Sequence, residues 1–318
     1  MGGVKWGMAR KLRLQYEGAV YHVINRGNYR RDVFETADKA KAFEECLFEA
    51  GARMGWKLHA YVLMRNHYHL ALETPQPNLV EGMHWLQSTF ATRFNRFRQE
   101  RGHLFQGRYQ ALVVEPGDAL RRVVDYIHLN PVRAGLVPVG QLVDFRWSSL
   151  RRFVRGGRPE CLCADWRSED NAEAWSRYCG ALEDLAGDQA AQAEQGFGEM
   201  SRGWAIGTVG WRKAVAQDHR QLALTPGLPQ KELKELKQAE WERVLGELLI
   251  QVGKTEKDAA EDWKSADWKV SIAEALRRKT TATNRWIAEA LHMGAANSVS
   301  QYLGWVGSGK LKIRILKA

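Results

Sequence analysis

The chain has 318 residues, 45% of them hydrophobic and 26% charged, with a formal net charge of +10. That length and apolar content suffice for two domains with real cores, and the excess of Lys and Arg favours a polyanionic partner such as nucleic acid. Cys46, Cys161, Cys163 and Cys179 are too few and too irregular for a disulfide framework or a zinc site, and no apolar run reaches the length of a membrane span. A reducing cytoplasm, no membrane association and no small-molecule cofactor are therefore expected. The N-terminus shows no apolar signal core, and Met8 would serve as a start as well as Met1.

Residues 19–26 alternate and are rich in β-formers, so they predict a strand, with a turn at Gly27-Asn28. Ala40, Phe43, Leu47 and Ala50 recur at helical spacing and predict a helix over 37–54. Residues 57–65 and 67–74 predict two strands, joined near Arg65-Asn66 by a tight hairpin or a bulge. After Pro75 and Pro77, residues 79–98 predict a long amphipathic helix carrying Met83, Leu86, Phe90, Phe94 and Phe97. Residues 104–115 predict a further strand and Pro116-Gly117 a turn. Asp118 is expected to cap a helix ending near Asn130, with Pro131 as its stop and Gly135 just beyond. The order strand, helix, strand, strand, helix, strand, helix predicts an α+β fold, a ferredoxin-like antiparallel sheet with helices on one face.

Past residue 160 the composition becomes Ala-rich and acidic. Residues 171–200 predict helix, Gly203 to Gly210 a weakly structured connector, and Pro226 to Pro229 a boundary. Helices are expected over 230–252 and 263–279. Residues 283–303 then predict a helix-turn-helix with Ile287, Ala288, Leu291, Val299 and Leu303 as its core. A small helical bundle without DNA contact would show the same pattern. The end, Lys310 to Arg314, is basic.

Two segments carry chemistry. In Arg65-Asn66-His67-Tyr68-His69 the histidines are two apart on a strand, so they share a face and can act as metal ligands. Packing or surface histidines would give the same His-x-His. Tyr126 and Asn130 are four apart and share a helix face. A phenol can act as a covalent nucleophile, and an amide supplies a neutral oxygen ligand. Two imidazoles and one amide oxygen, with positions left open for phosphate and water, suit Mg²⁺ or Mn²⁺ better than a closed zinc site. Tyr109 is a rival nucleophile without a polar partner at helical spacing. His128 points away from Tyr126 and is structural or phosphate-facing, and His59 and His103 have no motif partner.

The His67-Tyr68-His69 strand, the run Phe105-Gln106-Gly107-Arg108-Tyr109 and the stretch Asp125 to Gly135 together resemble the REP-associated tyrosine transposases, relatives of the single-tyrosine insertion-sequence transposases of the HUH superfamily. The resemblance covers about residues 8–155. It implies the HUH nuclease fold, a metal held by His67, His69 and Asn130, and attack on DNA by Tyr126. It also implies bacterial, nucleoid-associated work as a monomer or homodimer. The domains expected are 1–155 for transposase and nuclease, 156–229 as a helical connector, and 230–318 as a helical domain with the helix-turn-helix.

Such chemistry would make a 5′-phosphotyrosine and a free 3′-hydroxyl, and would need single-stranded or hairpin DNA from repeats. Arg10, Lys11, Arg13, Arg26, Arg30, Arg31, Arg108, Arg121 and Arg122 are the expected DNA contacts, and Tyr16, Tyr29 and Tyr109 candidate base-stacking residues. A solvated charged surface is the plain alternative for the basic clusters. Two other functions fit the sequence: a catalytically silent regulator that binds hairpin or repeat DNA, and an RNA-processing nuclease on a similar sheet.

Overall fold

The computed structural model describes residues 14–98, 102–219, 234–308 and 311. Lys5, Arg10, Lys11, Arg13, Arg101, Pro226 to Pro229 and Lys312 to Arg314 lie outside them. The chain divides into two compact units, with Arg13–Thr208 forming one and Val209–Ala318 belonging to the other.

The first unit is built on a five-stranded sheet. Its strands are β1 (Ala19–Arg26), β2 (Lys57–Leu63), β3 (His67–Thr74), β4 (Gln110–Val114) and β5 (Ala205–Ile206), in the order β2-β3-β1-β4-β5. The first four pair antiparallel, as expected for the α+β class, and β5 joins β4 in parallel. The turn between β2 and β3 is a tight hairpin, closed by the Met64 amide donating to His67 O at 2.8 Å.

One face of the sheet is aromatic. Helices α1 (Ala37–Met54) and α2 (Leu79–Arg98) lie on it, burying the Phe43 and Phe90 rings against Phe34, Tyr68 and Phe105. Each of these rings removes a large apolar area from water, at about 25 cal/mol per Å². Gln87 on α2 donates to the Tyr68 hydroxyl at 2.8 Å, fixing the helix in rotation. Gly82 lets α2 cross Trp56 closely: a Cβ there would lie 2.1 Å from the indole, which is itself held by its bond to Asn78 at 2.8 Å. Gly82→Ala should therefore cost about 1–3 kcal/mol despite its better helix propensity. Urea unfolding reads this directly, and an equal or higher midpoint would refute it.

Helix α3 (Asp118–Arg133) packs on the opposite face, since its Tyr126 meets His69 while the adjacent Tyr68 points to α1. The two helices expected on one face are thus α1 and α2, and α3 covers the other, because both faces of β3 are buried. Two details of α3 also differ. Asp118 is not its cap: Gly117, at φ +84, occupies that place, and Asp118 pairs with Arg121 at 3.0 Å in the first turn. Nor does Pro131 stop the helix. It sits within the last turn, and the end comes at Gly135 with φ +67, where Gly135 donates to Val132 O and Leu136 to Pro131 O.

Residues 104–109 are irregular rather than strand, with Gly107 at φ +68. The segment expected as a connector packs onto the sheet unit as far as Thr208. Helices α4 (Ser149–Arg155), α5 (Ala172–Gly187) and α6 (Gln189–Glu194) lead to β5, which lies inside Gly203 to Gly210, the stretch expected to be a weakly structured connector. On α5, the Tyr178 hydroxyl donates to Asp125 at 2.7 Å and bonds His128 Nδ1 at 2.9 Å, while His128 Nε2 bonds Ser149 at 2.8 Å. His128 is thus a buried structural residue.

The second unit is helical, with α7 (Val209–Asp218), α8 (Lys234–Val252), α9 (Glu256–Glu261), α10 (Asp267–Lys279), α11 (Asn284–Ala290) and α12 (Ala296–Gly307). Leu248, Val270, Ile272, Leu276, Ile287, Leu291 and Val299 form its core. Thr283 caps α11 through the Trp286 amide, and the turn to α12 passes through His292 at φ +51 and Gly294 at φ +90. No helix of the described residues is long and apolar enough to cross a membrane.

Candidate active site

In the β1–β3 ladder Arg26 stands opposite His67, Ile24 opposite His69 and His22 opposite Ala71. Alternation puts all of these on the face that α3 covers, together with Gln110 of β4, which pairs with Ile24. Tyr126 projects from α3 onto this face. Its ring lies edge-on to His69 at 5.5 Å and to His22 at 5.8 Å. Phe197, from the turn after α6, meets the same ring at 5.5 Å, and the Arg133 guanidinium sits over it at 5.0 Å. The phenol is thus clamped by a cation and three rings, and 8% of the residue is exposed.

An open cleft of about 390 Å³ brings together Arg26, His67, His69, Arg108, Tyr126 and Asn130, with Gln106, Gln110 and Ser201 at its rim. The metal-ligand candidates His67, His69 and Asn130 and the nucleophile candidate Tyr126 all lie here. Arg26 and Arg108 do as well, whereas Arg121 and Arg122 do not line the cleft. Arg121 is engaged by Asp118 and by Trp166 O at 3.2 Å, and the Arg122 Nε is buried. Tyr109, the rival nucleophile, is buried away from the cleft lining. Arg30 and Arg31, on the loop after β1, do not line the cleft either, and the Arg31 guanidinium sits over the Phe94 ring of α2 at 5.7 Å. On that loop Tyr29 is 92% exposed, and Tyr29 and Arg30 both adopt left-handed backbone at φ +52 and +59. Gly27 permits that fold-back, since a Cβ would lie 2.2 Å from Arg31 O.

The polar atoms are oriented before any ligand arrives. His67 Nδ1 is 2.7 Å from Asn66 Oδ1, whose amide nitrogen in turn donates to Arg30 O at 3.3 Å. His69 Nδ1 is 3.0 Å from His22 Nε2, and His22 Nδ1 is 2.8 Å from Met200 O. Asn130 Nδ2 donates to Tyr126 O at 2.8 Å, leaving its Oδ1 as the acceptor. Burial pushes His22 down to about 4, partly offset by the Met200 carbonyl. Burial, then the Arg26 charge, pushes His67 down to about 4, and burial with the neighbouring His22 and His67 holds His69 well below its ordinary value. All three are neutral at pH 7, the form that can coordinate a metal.

His22, Gln110, Phe197, Met200 and Ser201 were not expected here. His22 had a signal, since it lies four residues before Arg26 on an alternating strand, but its neighbour depends on a register that sequence does not show. Phe197 and Met200 come from an Ala-rich stretch read as helix, which the structure ends at Glu194 so that both residues lie in the turns that follow. Among the described residues no group of three or more His, Cys, Asp or Glu side chains is arranged to hold a metal, so a site here would need the Asn130 amide.

Comparison with known proteins gives one family match: residues 15–130 fit the model described as "Transposase IS200 like". Two solved structures are similar. One is a REP-associated tyrosine transposase bound to a REP hairpin, 19% identical, covering 51% of this chain and 95% of its own, with a TM-score of 0.39. The other is described as a transposase from Deinococcus radiodurans R1, 22% identical, covering 40% and 92%, with a TM-score of 0.28. No curated protein matches the chain.

Proposed function

Taking residues 15–130 as an IS200-like transposase domain, we propose that this protein is a metal-dependent endonuclease and strand-transferase acting on single-stranded or hairpin DNA. The observation that carries this is the convergence of Tyr126, His67, His69 and Asn130 on one cleft walled by Arg26 and Arg108.

The donor set fits a hard divalent ion. The Nδ1 atoms of both histidines are engaged, so each presents Nε2, and Asn130 presents Oδ1. Bound there, Mg²⁺ or Mn²⁺ would neutralise charge building on the non-bridging phosphate oxygens. Arg26 and Arg108 hold the strand's phosphates by charge-assisted contacts. Tyr126 Oη attacks phosphorus, the P–O3′ bond breaks, and the 3′ oxygen leaves and takes a proton. The products are a 5′-phosphate ester of Tyr126 and a free 3′-hydroxyl. Attack by another strand's 3′-hydroxyl runs the same exchange backwards and gives strand transfer without external energy.

Tyr29, exposed on the loop that follows Arg26 of the cleft, offers a stacking surface for an unpaired base. Tyr29→Ala should weaken single-strand binding by about 1–3 kcal/mol with little change in stability. Fluorescence anisotropy checks this, and unchanged affinity would refute it. In the second unit we read α11 and α12 as the expected helix-turn-helix, a reading supported by the exposure of Asn297, Ser300 and Gln301 on α12. These residues are proposed to read duplex DNA beside the cleavage site.

The test uses the full chain and 3′-labelled strands from the repeats flanking its own gene, with Mg²⁺, Mn²⁺ or EDTA. A covalent protein–DNA adduct in either ion and none in EDTA is the expected result. Tight hairpin binding without an adduct in either ion would leave a DNA-binding regulator instead.

A further inference from the structure

His22 lies outside the ligand set, yet it touches it. It is fully buried on β1, on the face it shares with His67 and His69, and diagonally across the ladder from His69. Its two nitrogens have different partners. Nδ1 faces Met200 O at 2.8 Å, and Nε2 faces His69 Nδ1 at 3.0 Å.

These contacts fix every proton in the chain. A carbonyl only accepts, so His22 Nδ1 carries a hydrogen and donates it to Met200 O. In a neutral imidazole the other nitrogen then has a lone pair, so His22 Nε2 accepts. The atom facing it must donate, which puts the His69 hydrogen on Nδ1 and the lone pair on Nε2. With the opposite tautomer, His69 Nδ1 and His22 Nε2 would face each other as two lone pairs at hydrogen-bond distance.

We infer that His22 is a positioning residue that sets the tautomer of His69, relaying to a metal-ligand position the polarity of a backbone carbonyl at Met200. This deepens the proposed function and rests on it where the metal is concerned. The relay begins at Met200, beyond the matched residues 15–130, so that domain alone does not contain everything that orients its own ligand. Histidine ligands held through their second nitrogen lose about 10- to 100-fold in metal affinity when the partner is removed.

The experiment uses the full-length protein labelled with ¹⁵N-histidine. Long-range ¹H–¹⁵N correlation without metal reports which His69 nitrogen is protonated, and Mn²⁺ titration followed by electron paramagnetic resonance reports affinity. Wild type should show His69 protonated on Nδ1. His22→Leu should lose that fixed tautomer and bind Mn²⁺ 10- to 100-fold more weakly. His22→Gln should restore both, because its amide nitrogen can donate to Met200 O and its amide oxygen can accept from His69. A purely structural His22 would leave the tautomer unchanged in His22→Leu, and that result, or a wild-type His69 protonated on Nε2, overturns the inference. If the tautomer behaves as expected but wild type binds no Mn²⁺, the relay stands and the metal reading fails. His69→Ala, which should abolish Mn²⁺ binding, separates the two.

Discussion

Tyr126→Phe should abolish strand cleavage and the covalent adduct together, by at least about 10³-fold, while leaving hairpin binding and folding intact. The separation is expected because the substitution removes one oxygen and keeps the ring. The ring supplies the contacts to His22, His69 and Phe197 and the platform under Arg133. Stability should therefore shift by no more than about 0.5 kcal/mol. The 3′-labelled strand assay reads the adduct, and anisotropy reads binding. Tyr109→Phe is the control, since its ring is buried away from the cleft lining. An adduct that survives in Tyr126→Phe and disappears in Tyr109→Phe would sink the assignment.

The pH dependence of stability should split in two when the network beneath α3 is dissected. Burial pushes His128 down to about 3, with a smaller contribution from the Arg167 charge. An unfolded histidine takes a proton below about pH 6.5, so the unfolded state binds more protons there and the fold loses about 1.4 kcal/mol per pH unit on acidification. Burial pushes Asp125 the other way, up to about 6, against the Tyr178 hydrogen bond that favours its ionised form. Below pH 6 the folded carboxyl takes its proton before the unfolded one, so the fold gains stability as pH falls toward about 4.

The two trends nearly cancel in the wild type. Asp125→Asn removes the gain, so between pH 7 and 4.5 it should lose about 2 kcal/mol more than wild type. His128→Gln removes the loss and should give up about 3 kcal/mol less over the same interval. Urea unfolding of the three proteins at both pH values measures each difference free of the variants' baseline stabilities. Parallel pH dependence in all three would show that neither group titrates as its burial implies.

Much of this fold follows local rules that sequence exposes. The alternation of His67 and His69, the four-residue step from Tyr126 to Asn130 and the helical spacing of Phe43, Leu47, Phe90 and Phe94 are one-dimensional patterns, and the structure places each accordingly. The departures come from non-local geometry. Asp118 looked like a cap because its side chain suits one, but Gly117 turns the chain one residue earlier. Strand β5 is two residues long, too short for any alternation to register, and exists because β4 offers it a partner. His22 was unreadable for a similar reason: its role depends on which residue of β3 lies across from it. The segment holding Phe197 and Met200 carries no motif and acts through one ring and one carbonyl.

The way the sheet ends has a bearing on assembly. Along β2, Leu58 exchanges bonds with Cys161 O and the Cys163 amide, Tyr61 is tied to the Ser149 hydroxyl, and Leu63 donates to Trp147 O. Along β4, Val113 donates to Trp204 O and Glu115 to Ile206 O. The β2 border is thus already taken by the protein's own downstream chain, and the opposite border is the two-residue β5, too short to be a template onto which a second molecule's strand can zip. The sheet of this unit therefore offers no long open strand edge among the described residues, which protects it against edge-to-edge polymerisation.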